Sequence, residues 1–224
     1  MIKKIFIILI SILFSTAIAN ADNSNIGLKL SYGNMDASGS HTTNSASGGS
    51  GGSAVNASGN ASFPFASVFI ERQINTNGLD LILGLDINPL TREVDKLGGG
   101  DGFDATVEMG NLYTAYIQPM INNGNGNVTF FAKIGYAQAD VDITNISRQA
   151  TTAGTASTDG PQSKSLEGPM YGIGLQVDTA SSAFFRLEAT RTDFDEISHT
   201  NSNGKIVKAD AEMDAVSLSI GRSF

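Results

Sequence analysis

The chain has 224 residues, 41% of them hydrophobic, no cysteine, and a formal net charge of −8 at pH 7. Without cysteine there is no disulfide frame, no Cys-ligated metal site and no thiol nucleophile. An acidic chain has nothing to neutralise phosphates with, which excludes nucleic acid as a partner, and no segment after the first residues approaches the apolar length of a membrane helix.

The N-terminus reads as an export signal. Met1-Ile-Lys-Lys carries two positive charges, Ile5 to Phe14 is an apolar run, and Ser15-Thr-Ala-Ile-Ala-Asn-Ala21 offers small-x-small cleavage sites after Ala19 or after Ala21. That is the pattern of a secretory signal peptide over 1–21, with an apolar run too short for a membrane-spanning helix of about 20 residues. Its removal takes Lys3 and Lys4 with it, so the charge of the remaining domain, 22–224, becomes −10. An exported chain without disulfides is held together by burial or by its backbone ladder.

The first strand reads Ile26-Gly-Leu-Lys-Leu-Ser-Tyr32, with Ile26, Leu28, Leu30 and Tyr32 on one face. From about 36 to 62 the chain is almost wholly Gly, Ser, Asn, Ala and Thr, too polar to bury a core, and is expected to be a mobile loop. The second strand, Phe63 to Ile74, carries apolar residues in both parities; Val68 and Ile70 are placed outward and Glu71 inward. After the Asn75-Thr-Asn-Gly78 turn comes the cleanest strand, where Leu79, Leu81, Leu83, Leu85 and Ile87 alternate with Asp80, Ile82, Gly84, Asp86 and Asn88. A second long loop is expected over 89–104, and a fourth strand over Thr106 to Ile121 with Tyr113, Ala115 and Ile117 outward.

Asn122 to Asn127 is another Asn/Gly turn. The fifth strand sets Val128, Phe130, Ala132, Ile134 and Tyr136 against Thr129, Phe131, Lys133 and Gly135. A third long loop, 144–168, precedes a sixth strand with Tyr171, Ile173, Leu175 and Val177 outward. Beyond the turn at Asp178 to Ser182, the seventh strand sets Phe185, Leu187 and Ala189 against Phe184, Arg186 and Glu188. A fourth loop, 193–210, leads to the closing strand, where Val216, Leu218, Ile220 and Phe224 share one face and Ser217, Ser219, Gly221 and Ser223 the other, Arg222 being the exception.

The spacing thus predicts eight strands in which long connections alternate without exception with short turns. Transmembrane barrels show this asymmetry, with short periplasmic turns and long external loops, and strands of roughly ten residues match a tilted crossing. The prolines agree. Pro64, Pro89 and Pro169 fall at the predicted outer rim, Pro119 near the inner rim and Pro161 inside a loop, so none breaks a strand at mid-depth.

The pattern resembles the outer-membrane protein A-like and opacity-type eight-stranded β-barrel family. The motifs that carry the resemblance are Phe131-Ala-Lys-Ile-Gly-Tyr-Ala-Gln-Ala-Asp140, Phe185-Arg-Leu-Glu-Ala-Thr-Arg-Thr-Asp-Phe194 and the terminal Phe224 with Ile220, Leu218 and Val216 at alternate positions. In such families the terminal pattern is the assembly signal read by the barrel-assembly machinery. The resemblance covers the barrel only, since two-domain members carry a peptidoglycan-binding domain after it and this sequence ends at strand eight. It implies an all-β fold: an eight-stranded antiparallel transmembrane β-barrel in an up-and-down meander, in a Gram-negative outer membrane among lipid and lipopolysaccharide.

The inward face collects charges: Lys29, Asp80, Asp86, Lys133, Arg186, Glu188 and Glu71. An eight-stranded barrel is only wide enough for its own side chains, so acids and bases there must pair off. Lys29, Glu71, Lys133, Arg186 and Glu188 are expected to cluster in the lower lumen as a polar plug. The resemblance implies the alternative, a gate whose salt bridges switch to pass small ions.

Nothing points to catalysis. The two histidines, His41 and His199, both fall in predicted loops, and neither has a nucleophile at a useful spacing. Gly99-Gly-Asp-Gly-Phe-Asp104 matches a single copy of a calcium repeat that binds only when stacked. The sequons at Asn56, Asn60, Asn127 and Asn145 are what an Asn-rich chain contains by chance. No cofactor or metal is expected. Acidic residues (Asp95, Asp101, Asp104, Glu108; Asp193, Asp195, Glu196, Asp210, Glu212) give the outer face a negative field, and Tyr32, Tyr113, Tyr136 and Tyr171 are placed at the outer interface. The expected role is a non-enzymatic, monomeric envelope barrel, structural or adhesin-like, whose four loops meet an unknown surface partner. A narrow porin-like channel is the alternative.

Overall fold

The computed structural model describes residues 23–42, 54–76, 79–89, 92–99, 103–122, 127–148, 157–158, 162–200 and 206–224. The segment read as a signal peptide, 1–21, lies outside them. The strands are β1 (Ser24–Thr42), β2 (Ala54–Thr76), β3 (Leu79–Asn88), β4 (Arg92–Gly99), β5 (Phe103–Asn122), β6 (Val128–Arg148), β7 (Ser157–Thr158), β8 (Gln162–Asp178), β9 (Ala183–Thr200) and β10 (Ile206–Ser223). β4 carries β3 onward after a break, since both lie against β5, and β7 is a two-residue rung on the tip of β6. The wall therefore counts eight strands.

Every pairing is antiparallel and joins neighbours along the wall, and β1 pairs with both β2 and β10, which closes the sheet on itself. The expected eight-stranded meander is what forms. The closing seam is tied at the chain end: Asn23 N–H donates to the Phe224 carbonyl (2.7 Å) and Phe224 N–H to the Ser24 carbonyl (2.9 Å).

The strand phases follow the alternation in the sequence. Ile26, Leu28, Leu30, Tyr32, Ile134, Ile173, Phe185, Leu187, Val216, Leu218, Ile220 and Phe224 are all exposed large apolar side chains. They form a belt around the outside that water alone would make costly. The doubtful phase of β2 is resolved as expected, with Val68 outward and Glu71 buried. Both parities are apolar there because Phe63, Phe65 and Phe69 fill the lumen. The stripe of β3 differs from the others: Leu85 is buried on the outer wall, packed with Ala115, Ile70, Leu83 and Ile87.

The segments read as long loops need correcting. Strand covers 36–42 and 54–62, 92–99 and 103–104, 144–148 and 162–168, and 193–200 and 206–210. The β1–β2 ladder continues to Thr42↔Ala54 and the β9–β10 ladder to Thr200↔Ile206. Hydrophobic periodicity could not show this, because a backbone ladder is indifferent to side chains and these residues are small and polar. β1 alone has 19 residues, about twice the 9–11 that cross a bilayer, so the upper halves project as hairpins.

Candidate functional site

Among the described residues β1, β2, β3, β5, β6, β8, β9 and β10 contribute inward side chains, whose character changes with height. In the lower half β1 supplies Asn25 and Lys29, β2 Glu71, β3 Asp86, β5 Tyr116, β6 Lys133, β8 Gln176 and β9 Arg186 and Glu188. Arg186 is the centre. Its guanidinium donates to both Glu71 carboxylate oxygens (2.7 and 3.1 Å) and to the Gln176 amide oxygen (2.7 and 3.2 Å). Phe69, Phe131 and Phe184 surround it, ring centroids 5.0–5.3 Å from its central carbon, a desolvated cation–π cage. Glu71 also accepts from Tyr116 Oη (2.6 Å) and Asn25 Nδ2 (3.0 Å).

The second node is Glu188, which accepts from Lys133 (2.5 Å) and Lys29 (3.2 Å). Lys29 is also ion-paired with Asp86, and Lys133 lies 4.2 Å from the Tyr116 ring centroid. Three bases thus meet three acids, and the layer is neutral. All five residues expected to cluster do so: Lys29, Glu71, Lys133, Arg186 and Glu188. Asp86 completes the network, whereas Asp80 is half-buried and no part of it. Charges this deep require partners, because the desolvation penalty is recovered only with complete pairing.

The aromatic rings are seated by glycine. Phe69 stands opposite Gly27, Tyr116 opposite Gly84, Phe131 opposite Gly174 and Phe184 opposite Gly221, each a direct cross-strand pair. A Cβ on any of these glycines would enter the ring facing it. Only glycine lets the ring lie flat on the neighbouring strand inside so narrow a barrel.

Above this layer the lumen turns apolar, which the sequence reading did not anticipate. Met35, Phe63, Phe65, Met109, Leu112, Ala137, Ala139, Val141, Leu166, Phe194, Met213 and Ala215 form one buried cluster. The signal was present in the spacing: Met35 stands six residues beyond Lys29, Val141 eight beyond Lys133 and Phe194 eight beyond Arg186, all in the inward phase. Single apolar residues scattered among Ser, Asn and Asp do not announce a core. An axial path therefore meets two barriers, one ionic and one dry.

On the outside of the hairpins, Glu212 faces Asp36 on one side and Asp193 on the other. With Asp210 they line a cleft of about 490 Å³ between the β1–β2 and β9–β10 hairpins. Arg191 moderates this charge, donating to both oxygens of Asp214 (2.9 and 3.0 Å) with Glu212 at 3.6 Å; those bonds and charges hold its pKa above the usual value. His41 and His199 sit on one rung, both opposite Val207, though their side chains lie outside the described residues. Residues 100–102 of the calcium-like motif lie outside the described residues altogether. Among the described residues no group of three or more His, Asp or Glu side chains is placed to hold a metal. Tyr32 and Tyr171 are exposed on the outer wall, and Tyr113 and Tyr136 half-buried beside them.

No protein-family model and no curated protein matches the chain, so the family resemblance in its motifs stands as a resemblance. Several solved structures align with most of the chain. The attachment invasion locus protein Ail of Yersinia pestis, in complex with the heparin analogue sucrose octasulfate, is 13% identical over 88% of this chain and 99% of its own, with a TM-score of 0.36. Neisserial surface protein A is 11% identical over 87% and 97%, TM-score 0.43. The outer-membrane protease OmpT from Escherichia coli is 8% identical over 92% and 98%, TM-score 0.42. No function follows from these similarities.

Proposed function

We propose that the chain is a non-enzymatic β-barrel of a Gram-negative outer membrane, sealed along its axis, that holds four long hairpins above the membrane for contact with a surface partner. The belt of exposed aliphatic residues supports the membrane setting, and the motif resemblance to the outer-membrane protein A-like and opacity-type family agrees with it. Lipid and lipopolysaccharide then surround the belt, and Phe224 with Ile220, Leu218 and Val216 is the face offered to the assembly machinery.

The observation that carries the reading is the filled lumen. A channel would need a continuous polar path, but the apolar cluster from Met35 to Ala215 lies above the ion pairs, and hydrophobic constrictions exclude ions by dewetting. The groups open to a partner are outside: the cleft carboxylates and the Ser- and Asn-rich ladders of β1 and β2.

Planar-bilayer recording tests this. The wild-type protein is expected to give no single-channel conductance, and Lys133→Ala, which loosens only the ionic layer, is expected to stay silent. Steps of steady conductance from the wild type overturn the sealed reading in favour of the narrow channel. For the surface role, removal of residues 38–61 is expected to abolish binding of the protein to host-cell or matrix surfaces while the heat-modifiable barrel persists; binding unchanged by that deletion sinks it.

A further inference from the structure

Arg222 breaks the outward stripe of the closing strand, and the sealed barrel leaves it without a role. It is exposed, and it stands opposite Ile26 of β1 and Ala183, the first residue of β9 after the turn at 179–182. It therefore lies at the end of the barrel that carries the short turns, near the lower margin of the apolar belt formed there by Ile220 and Ile26. Its guanidinium carbon is 5.5 Å from the Phe224 ring centroid, and among the described residues it has no hydrogen-bond or ion-pair partner.

A second arginine faces the same patch. Arg72 of β2 shares the outward phase of Val68 and Ile70 and stands opposite Ser24 of β1. Its Nη1 donates to Ser24 Oγ (3.3 Å), which draws the side chain across β1 towards β10. Ser24 in turn touches the end of β10, its carbonyl accepting from Phe224 N–H (2.9 Å). Arg222 reaches that rung through the Phe224 ring and Arg72 reaches it through Ser24, so the two cations converge on the outer side of the closing seam. Two strand spacings and an offset of two residues put their backbones about 12 Å apart, a separation that two long side chains close from both sides.

The charge around them is one-sided. Among the described residues, the outward phase of β9, β10, β1 and β2 below Leu28 carries no acidic side chain. The outward bases at the other end of the barrel are placed differently: Arg191 is bonded to Asp214, and Lys208 is paired with Glu196. Carboxylates of the protein thus match these upper cations and leave Arg222 unmatched. An arginine on a lipid-facing wall is costly at mid-depth and tolerated near the interface. There its apolar stem stays against the wall while the charged head reaches the headgroups. The guanidinium fork then matches the paired oxygens of a phosphate.

We propose that Arg222 and Arg72, from the two sides of β1, seat the phosphate of an anionic phospholipid at the short-turn end of the barrel. The seat rests on the membrane setting proposed above. The chain contains no tryptophan, so single reporters can be added. Ile26→Trp lies between the arginines, and Ile121→Trp, in a separate protein, lies on β5 at the same end and away from them. Each is reconstituted in mixtures of phosphatidylglycerol and phosphatidylcholine in which one lipid or the other is brominated on its acyl chains, so that quenching reads the local preference between the two. Ile26→Trp is expected to report a preference for phosphatidylglycerol of about fivefold or more, and Ile121→Trp a preference below about twofold. Arg222→Leu is expected to cut the preference at Ile26→Trp by about twofold or more, and Arg72→Gln added to it to remove the rest. Equal preference at the two positions, or a preference at Ile26→Trp that survives Arg222→Leu, overturns the seat. Failure of both reporters to be quenched by either brominated lipid overturns the membrane setting instead. Ala183→Trp, on the other side of Arg222, replaces Ile26→Trp if the latter does not give a heat-modifiable barrel.

Discussion

Gly84→Ala is the sharpest single test of the luminal architecture. The added Cβ would sit 2.6 Å from Tyr116 Oη and closer still to two ring carbons, against the 3.5–4.0 Å of ordinary contact. Tyr116 has little freedom to retreat, since its hydroxyl donates to Glu71 and Lys133 lies over its ring. Overpacking a tight core costs about 1–3 kcal/mol, and a buried carboxylate that loses a donor costs about 1–3 kcal/mol more. A loss of about 2–6 kcal/mol is therefore expected, read from urea unfolding of the barrel in lipid vesicles by circular dichroism. In a Tyr116→Ala background the same glycine change meets no ring and should cost under about 1 kcal/mol, so the two changes couple strongly in a double-mutant cycle. Wild-type stability for Gly84→Ala, or an equal cost in both backgrounds, refutes the reasoning.

Glu188→Gln leaves Lys133 with only a neutral acceptor while Lys29 keeps Asp86, and should cost about 3–5 kcal/mol; Asp86→Asn should cost less, because both lysines keep Glu188, and the temperature of the gel-mobility shift ranks the two. Asn111→Ala forces a Cβ-bearing residue without a bonding side chain into the left-handed region, worth about 1–2 kcal/mol, and loses the bond to Asp140; Asn111→Gly should cost less in the same unfolding assay. Deleting Phe224 removes both backbone bonds that pin the chain end to Asn23 and Ser24, and should lower the yield of heat-modifiable barrel on refolding, whereas Arg222→Leu should not.

Much of the fold was legible because a barrel wall repeats one rule. Each of Leu28, Leu30, Ile134, Leu218 and Ile220 obeys the two-residue period, and the same period places Lys133 and Glu188 inside. What the period could not show falls into two kinds. The projecting hairpins are held by backbone bonds between residues such as Ser38, Gly39 and Ala57, whose side chains carry no apolar signal. The departures from regularity, such as the left-handed Asn111 and the β5–β6 bulge beside it, depend on which strands meet, and no local pattern records that. Gln118 is of this second kind: the β5–β6 ladder omits it and Pro119, and its buried amide finds no partner among the described residues. Proline at 119 explains the missing rung. The unpartnered amide has no physical account in the packing.

The ionic layer has a role that sealing does not require. Its members come from β1, β2, β3, β6 and β9, so the pairs Arg186–Glu71 and Lys29–Glu188 tie strands that are not neighbours along the wall. A one-residue slip of any strand turns its whole inward set outward, and a Lys or Arg delivered to mid-bilayer lipid costs about 2–4 kcal/mol. The four glycine–aromatic pairs add a second constraint, because each ring finds its glycine only in the native register. On this argument the upper, apolar layer closes the barrel and the lower layer fixes how its strands align. Exchanging Arg186→Glu with Glu71→Arg separates the two roles. Either change alone buries two like charges and should abolish the heat-modifiable band. Together they restore a complementary pair, although outside the Phe69, Phe131 and Phe184 cage, and should recover part of the folding yield. If the single changes fold as well as the wild type, the network does not set the register.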